Sequence, residues 1–314
     1  MPARDRSETA GLVFAGLCAL CGAFVPAVAR LTTTAVEPLL VATVTTLFAG
    51  LLAFAVLAVR GEAAILVAPA TGPRLALVGF LGTAAAFFLF YAGTSRTSAI
   101  EAALALQVEP VYSLLAAWIG LGHRPTARRV AAIVVLLAGL LLALGAHELS
   151  AGGGIWLILA TPLCWQASHL VVLRGLPRLA APVLTGARYI YGGLILVIAW
   201  LVSGGGVTEL APLGPSLPLL VLQGTVLCYL GTIVWYAAIA RLDLARTTAI
   251  VVPSIPVLSL GATFVLVGEV PTVRQALGML LTAGGVLAFV TAPHVDARTE
   301  RIPSATAPLV NPGE

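Results

Sequence analysis

The sequence predicts an all-α membrane protein with ten transmembrane helices in two inverted five-helix repeats. Three observations carry that reading. Hydrophobic residues fill 60% of the 314 positions and charged residues only 10%, with a mean hydropathy of +1.04. A water-soluble domain carries roughly 25% charged residues, so this chain has too few to solvate a soluble fold, and too much apolar surface for disorder. The apolar residues fall into ten runs of about 20, the length a helix needs to cross a bilayer. Finally, one block of sequence recurs in both halves at a fixed offset.

Taken in order, the runs cover residues 10–29, 38–59, 74–93, 98–121, 127–146, 154–173, 182–202, 217–239, 247–268 and 273–292. Arg, Gly, Pro or a short polar cluster marks each break. RGEAAILVAPATGPR separates the second and third runs, HRPTARR the fourth and fifth, and SGGGVTELAPLGPS the seventh and eighth. Barrel strands would be about 10 residues long with alternating polarity, which is absent. The division is therefore a tail (1–9), a first repeat (10–146), a linker (147–153), a second repeat (154–292) and a polar, proline-containing tail (293–314). The first run, with Arg4 and Arg6 before it and Ala27-Val28-Ala29 at its end, also fits a cleaved signal peptide. Its counterpart at 154–173 favours a retained helix.

Arginine sets the orientation. All 17 basic residues are Arg, against 13 acids, for a net charge of +4. With the N-terminus in the cytoplasm, Arg4, Arg6, Arg60, Arg74, Arg124, Arg128, Arg129, Arg174, Arg178, Arg241, Arg246, Arg298 and Arg301 lie at cytoplasmic ends. Arg30, Arg96 and Arg274 lie outside, and Arg188 falls within the seventh run. The positive-inside bias predicts a multi-pass protein of the cytoplasmic (inner) membrane with both termini cytoplasmic. Scattered arginines give no nucleic-acid footprint. Cys18, Cys21, Cys164 and Cys228 lie in apolar stretches and read as small buried hydrophobes, so no metal site is expected. No nucleotide, cofactor or hydrolase motif occurs, so no cofactor is expected.

The repeat aligns IEAALALQVEPVYSLLAAWIGLGHRPTARR with RTTAIVVPSIPVLSLGATFVLVGEVPTVRQ at an offset of 146. Pro110, Val111, Ser113 and Leu114 match Pro256, Val257, Ser259 and Leu260; Gly122, Pro125, Thr126 and Arg128 match Gly268, Pro271, Thr272 and Arg274. Pro38 matches Pro182 at 144. Five helices per half is an odd number, so the copies must cross in opposite senses. Inverted repeats place a substrate site near the midplane at their interface and permit alternating access.

These halves, each ending in P-V-x-S-L…G-[EH]-x-P-T-x-R followed by a Gly-containing helix, resemble the EamA domain of the drug/metabolite transporter superfamily over residues 10–292. The most specific piece is Gly268-Glu269-Val270-Pro271-Thr272; the Trp165 region and Arg188, six residues after Pro182, are also similar. His123 stands where the family usually has Glu, Cys21-Gly22 where Trp-Gly is common, and Val44 where Arg is frequent. The resemblance implies a transporter, in many cases an exporter of amino acids, other metabolites or drugs.

Ionisable residues inside a span are costly and mark pathways or partners. The fourth run carries Glu101, Gln107, Glu109 and Tyr112. At 100° per residue, Glu101, Glu109 and Tyr112 share an arc of about 80° while Gln107 points elsewhere. Glu109 lies roughly 18 Å along the helix, near the midplane, and Pro110 after it removes a backbone donor. Glu101, near the outer end, reads either as a pathway group or as one solvated at the interface. Trp165, Gln166 and His169 cluster on the sixth run; His169 could carry a proton, meet a carboxylate or fill a helix contact. On the eighth run, Gln223 and Tyr229 are pathway candidates, and Trp235 and Tyr236 an aromatic belt. Arg188 is expected to snorkel to the cytoplasmic interface, Pro110, Pro253 and Pro256 to kink their helices, and Glu269 to cap a helix or pair with Arg274.

The function this predicts is secondary export of a small organic metabolite, amino-acid-like or drug-like, with or without proton coupling. An uncoupled facilitator or channel is the alternative. An intramembrane enzyme using His169 and Glu109 as acid and base is a third class, for which duplicated opposed halves offer no purpose. The expected partners are a small-molecule substrate and the bilayer, with the protein a monomer or homodimer.

Overall fold

The computed structural model describes residues 3–151, 153–206, 210–242 and 244–292; the tail read at 293–314 lies outside them. Among the described residues ten helices are long and apolar enough to cross a membrane: α1 Glu8–Ala35, α2 Pro38–Val59, α3 Gly72–Thr94, α4 Ala99–Gly120, α5 Ala127–Gly145, α6 Gly154–Gly175, α7 Ala181–Val202, α8 Leu213–Leu242, α9 Arg246–Val267 and α10 Val273–Thr291. Among the described residues there is no strand. The predicted runs and these helices agree closely except that α1 continues past Arg30 and α8 starts four residues earlier.

The helix ends follow from local chemistry. A helix leaves its first N–H groups without internal partners, and in an apolar setting each needs an acceptor. The Glu37 carboxylate takes the Leu40 N–H at 2.8 Å, one residue before Pro38 opens α2. Thr272 and Gln275 form a reciprocal cap on α10. The last turn of α3 has the opposite need: Arg30 donates to the carbonyls of Thr94 and Ser95 at 3.2 and 3.0 Å, a cation where a helix dipole favours one.

Three helices depart from α geometry internally. α3 holds a π segment at Phe80–Ala85 and α8 one at Leu222–Leu230. Each contains a Gly-Thr pair, Gly82-Thr83 and Gly224-Thr225. α4 carries a 3₁₀ turn at Leu106–Val108 immediately before Glu109-Pro110, and a π segment at Ala116–Gly120. A tightened turn thus stands directly before Pro110, one of the prolines expected to kink their helices. α9, by contrast, runs helical through both Pro253 and Pro256, where the Ser254 hydroxyl donates to the Ile250 carbonyl at 2.6 Å. Both prolines expected to kink α9 therefore lie inside one continuous helix.

Helices at equivalent positions in the two halves pack on one another, α2 on α7 and α5 on α10, while α1 lies against α8 and α9. Small residues make the approach possible, as is usual where lipid removes the hydrophobic drive between helices. A Cβ on Gly278 would stand 2.5 Å from the Ala143 backbone nitrogen, and one on Gly285 2.5 Å from that of Leu136. Gly278→Val should therefore force α5 and α10 apart at a cost of about 1–3 kcal/mol, seen as a lower melting temperature in detergent. Gly284→Val, whose Cβ meets nothing within 4 Å, is the control. Equal melting of the two variants would refute the close contact.

Candidate functional site

A cavity of about 320 Å³ opens among α1, α4, α6, α9 and α10, within the range of small-molecule sites. Its wall is mostly apolar. From α4 come Gln107, Glu109 and Ser113, from α6 Trp165 and Gln166, and from α9 Thr248 and Ser259. Gly22, Val25 and Pro26 of α1 and Phe289 and Val290 of α10 complete it. Leu106 and Val252, Glu109 and Ile255, and Ser113 and Ser259 all line it, each pair separated by the repeat offset of 146. The wall is thus built twice from the same positions, and polarity is asymmetric: the carboxylate in the first half is matched by an isoleucine in the second.

The polar centre is the contact between α4 and α6. Gln166 Nε2 donates to Glu109 Oε1 at 3.1 Å. Gln107, expected to point away from Glu109, lines the same cavity and donates to the Ala103 carbonyl at 3.2 Å. The 3₁₀ turn at Leu106–Val108 winds at 3.0 residues per turn, about 20° more per residue than an α-helix, which narrows the angle between Gln107 and Glu109 from about 160° to about 120° and turns Glu109 about 60° relative to the start of α4. That shift also breaks the arc proposed for Glu101, Glu109 and Tyr112.

Other expected site residues lie elsewhere. Glu101 caps its own helix: its carboxylate accepts from Ser98 N at 2.9 Å while Ser98 Oγ accepts from Glu101 N at 3.1 Å. It does not reach the cavity wall. Gln223 and Tyr229 are buried between helices, Gln223 next to Gly224, whose Cβ position meets the Thr45 carbonyl of α2. Tyr229 packs edge-on to Tyr189, with centroids 6.4 Å apart. Tyr112 is half-buried and His169 presents open surface; neither lines this cavity.

Arg188 does not snorkel. It turns inward across α3, donating to the Gly82 carbonyl at 2.8 Å. Gly82 permits this, since a Cβ there would lie 3.1 Å from Arg188 Nε and 2.6 Å from Ser168 Oγ. Glu269 takes the capping option, but across the molecule. Its two carboxylate oxygens accept from the backbone N–H groups of Ala99 and Ile100 at 3.2 and 3.1 Å, closing the start of α4 from the α9–α10 link. The cavity lies toward the opposite end of the bundle, where Thr248 begins α9 and Phe289 and Val290 finish α10.

Among the polar cavity residues to which the sequence reading gave no role, Ser113 and Ser259 carry a signal that Thr248 lacks. Their signal was the repeat itself, which matched the two serines without assigning them a role.

A sequence model of the EamA-like transporter family matches twice, over residues 9–145 and 152–291. Among characterised proteins, the chain is 30% identical over 227 residues to one from Streptantibioticus cattleyicolor named "Probable terminal-alkyne amino-acid exporter", covering 68% of this chain and 72% of that protein. A crystal structure at 21% identity superimposes with a TM-score of 0.62, over 91% of this chain and 96% of the other. At that identity the likeness concerns the fold.

Proposed function

From the chain's membership of the EamA-like transporter family, which makes it a membrane transporter of small molecules and not an enzyme, we propose that it exports an amino-acid-like metabolite with an apolar side chain. The observation that carries this is the Glu109–Gln166 contact in a mostly apolar cavity. A carboxylate there suits an ammonium, and the surrounding wall suits an aliphatic tail. The relative's name, an exporter of amino acids bearing a terminal alkyne, points the same way.

Transport proceeds by alternating access between two inverted halves, 10–146 and 154–292, with both termini in the cytoplasm. Support comes from the doubled wall positions, from the odd number of helices per half and from the arginine distribution. On this topology the cavity faces the cytoplasmic side and Glu269 closes the outer one. The coupling ion is a proton that Glu109 exchanges against the substrate ammonium.

Counterflow in proteoliposomes tests the reading. Vesicles preloaded with an unlabelled aliphatic amino acid such as norleucine should accumulate the labelled form transiently, whereas an uncoupled channel would only equilibrate it. Trp165→Ala should raise the KM about tenfold, the loss of roughly 1.4 kcal/mol of ring contact, with protein abundance little changed. An unaltered KM would make Trp165 a packing residue.

A further inference from the structure

One contact at the cavity is made twice. Gln166 of α6 meets Glu109 of α4 in the 3.1 Å hydrogen bond. Their repeat mates are Gly22 of α1, at an offset of 144, and Ile255 of α9, at 146. The offset of 144 is the one that pairs Pro38 with Pro182, and it also aligns Ala23, Val28 and Arg30 with Ala167, Val172 and Arg174. The mates touch as well: a Cβ on Gly22 would stand 2.8 Å from Ile255 Cδ1 and 3.2 Å from its Cγ1. All four residues line the one cavity. It therefore has two poles related by the repeat, Glu109 with Gln166 and Ile255 with Gly22.

The poles differ in chemistry. One presents a carboxylate and an amide, the other the methyl tip of an isoleucine that has its room because Gly22 carries no side chain. An aliphatic group gains with every methylene it buries at such a tip. A charged group brought there loses its hydration and finds no counter-charge. Ser259, one helical turn from Ile255, adds a hydroxyl to the wall but no charge.

We propose that Ile255, backed by Gly22, reads the far end of the substrate, fixing how long an aliphatic tail fits and turning away a tail that ends in a charge. This rests on the export reading above and adds the residues that decide which apolar amino acids are taken. Because positions 109 and 255 are repeat mates, a carboxylate at 255 would make the two poles alike. The site would then suit a molecule with an ammonium at each end.

Equilibrium binding to the full-length protein in nanodiscs tests this with four probes: norvaline, norleucine, 2-aminooctanoate and lysine. Lysine is norleucine with an ammonium at the end of its tail, so the two isolate the charge at the far pole. Wild type should bind norleucine at least about tenfold tighter than lysine, the scale of one charged group left without a partner. Ile255→Ala, which trims the side chain to a methyl group, should shift preference from norleucine toward 2-aminooctanoate by at least about fourfold, the gain of one buried methylene. Gly22→Ala should shift it toward norvaline by a similar factor, because the added methyl either displaces the isoleucine tip into the cavity or fills the pole itself. Ile255→Glu should improve lysine relative to norleucine by at least about tenfold, and the neutral Ile255→Gln should not. Unchanged length preference in both Ile255→Ala and Gly22→Ala, with norleucine still bound, would overturn the proposal and leave the amino-acid reading standing. Those two small substitutions decide the matter even where Ile255→Glu fails to fold. Equal wild-type affinity for lysine and norleucine would also overturn it. Failure of wild type to bind any of the four probes would refute the amino-acid reading and this inference with it.

Discussion

Glu109→Gln is expected to abolish proton-driven uptake into everted vesicles while leaving the protein folded. The substitution is nearly isosteric, and a glutamine oxygen can still accept the Gln166 N–H that now meets Glu109 Oε1 at 3.1 Å. The bridge between α4 and α6 therefore survives, and what disappears is the ability to exchange a charge. Loss of a charged partner for an ammonium weakens binding by about 10–150-fold, and the proton has nowhere to compete. Antiport needs no further machinery than one carboxylate serving either ligand in turn. The rival assignment makes Glu109 a helix-to-helix hydrogen-bonding group, a role that glutamine imitates. Measured uptake against external pH separates the two: a variant retaining the wild-type pH dependence would reduce Glu109 to that structural role.

The span pattern was legible because bilayer thickness imposes one length on every helix, and composition alone exposes runs such as 38–59 and 182–202. Glu109, Trp165 and Gln166 were legible for a related reason, since a polar side chain in an apolar run must meet something. Direction was harder. Gln107 and Glu109 share a wall although a regular helix would set them about 160° apart, and the turn before Pro110 tightens that angle. Arg188 was misjudged because a snorkelling arginine and one held by a carbonyl on α3 look alike in sequence; the Gly82 that makes room lies 106 residues away. Gln223 and Tyr229, chosen by the rule that buried polarity marks a pathway, are buried in α8 and do not line this cavity. The helix that Glu269 caps could not be read at all, because the contact joins opposite halves of the chain.

That contact gives the second large effect: Glu269→Ala should free the start of α4 and open the end of the bundle that Glu269 now seals. All three N–H groups of α4's first turn have side-chain acceptors, Ala99 and Ile100 in Glu269 and Glu101 in Ser98 Oγ. A carboxylate at a helix N-terminus gains from both the hydrogen bonds and the dipole. The equivalent position in the other half is His123, which is exposed, and near the start of α9 an exposed Arg246–Glu8 pair of 2.7 Å is found instead. Exposed pairs contribute little, about 0–1 kcal/mol, whereas two charge-assisted bonds to backbone are worth about 1.5–3 kcal/mol each. The seal is therefore much stronger at the Glu269 end, and the structure is closed there and hollow toward the other. Removing the carboxylate should shift the equilibrium by at least about tenfold toward opening at that end. The measurement is the rate at which an impermeant maleimide, added on the Glu269 side, modifies Ala103→Cys in a background lacking Cys18, Cys21, Cys164 and Cys228. Ala103 lines the cavity about one turn beyond the capped start, so its thiol reports passage through the seal. Glu269→Ala should label at least about tenfold faster, and Glu269→Gln should fall between, because one amide oxygen accepts without a charge. Identical labelling rates in all three proteins would show that the α4 cap is no gate, and that closure on that side rests on apolar packing alone.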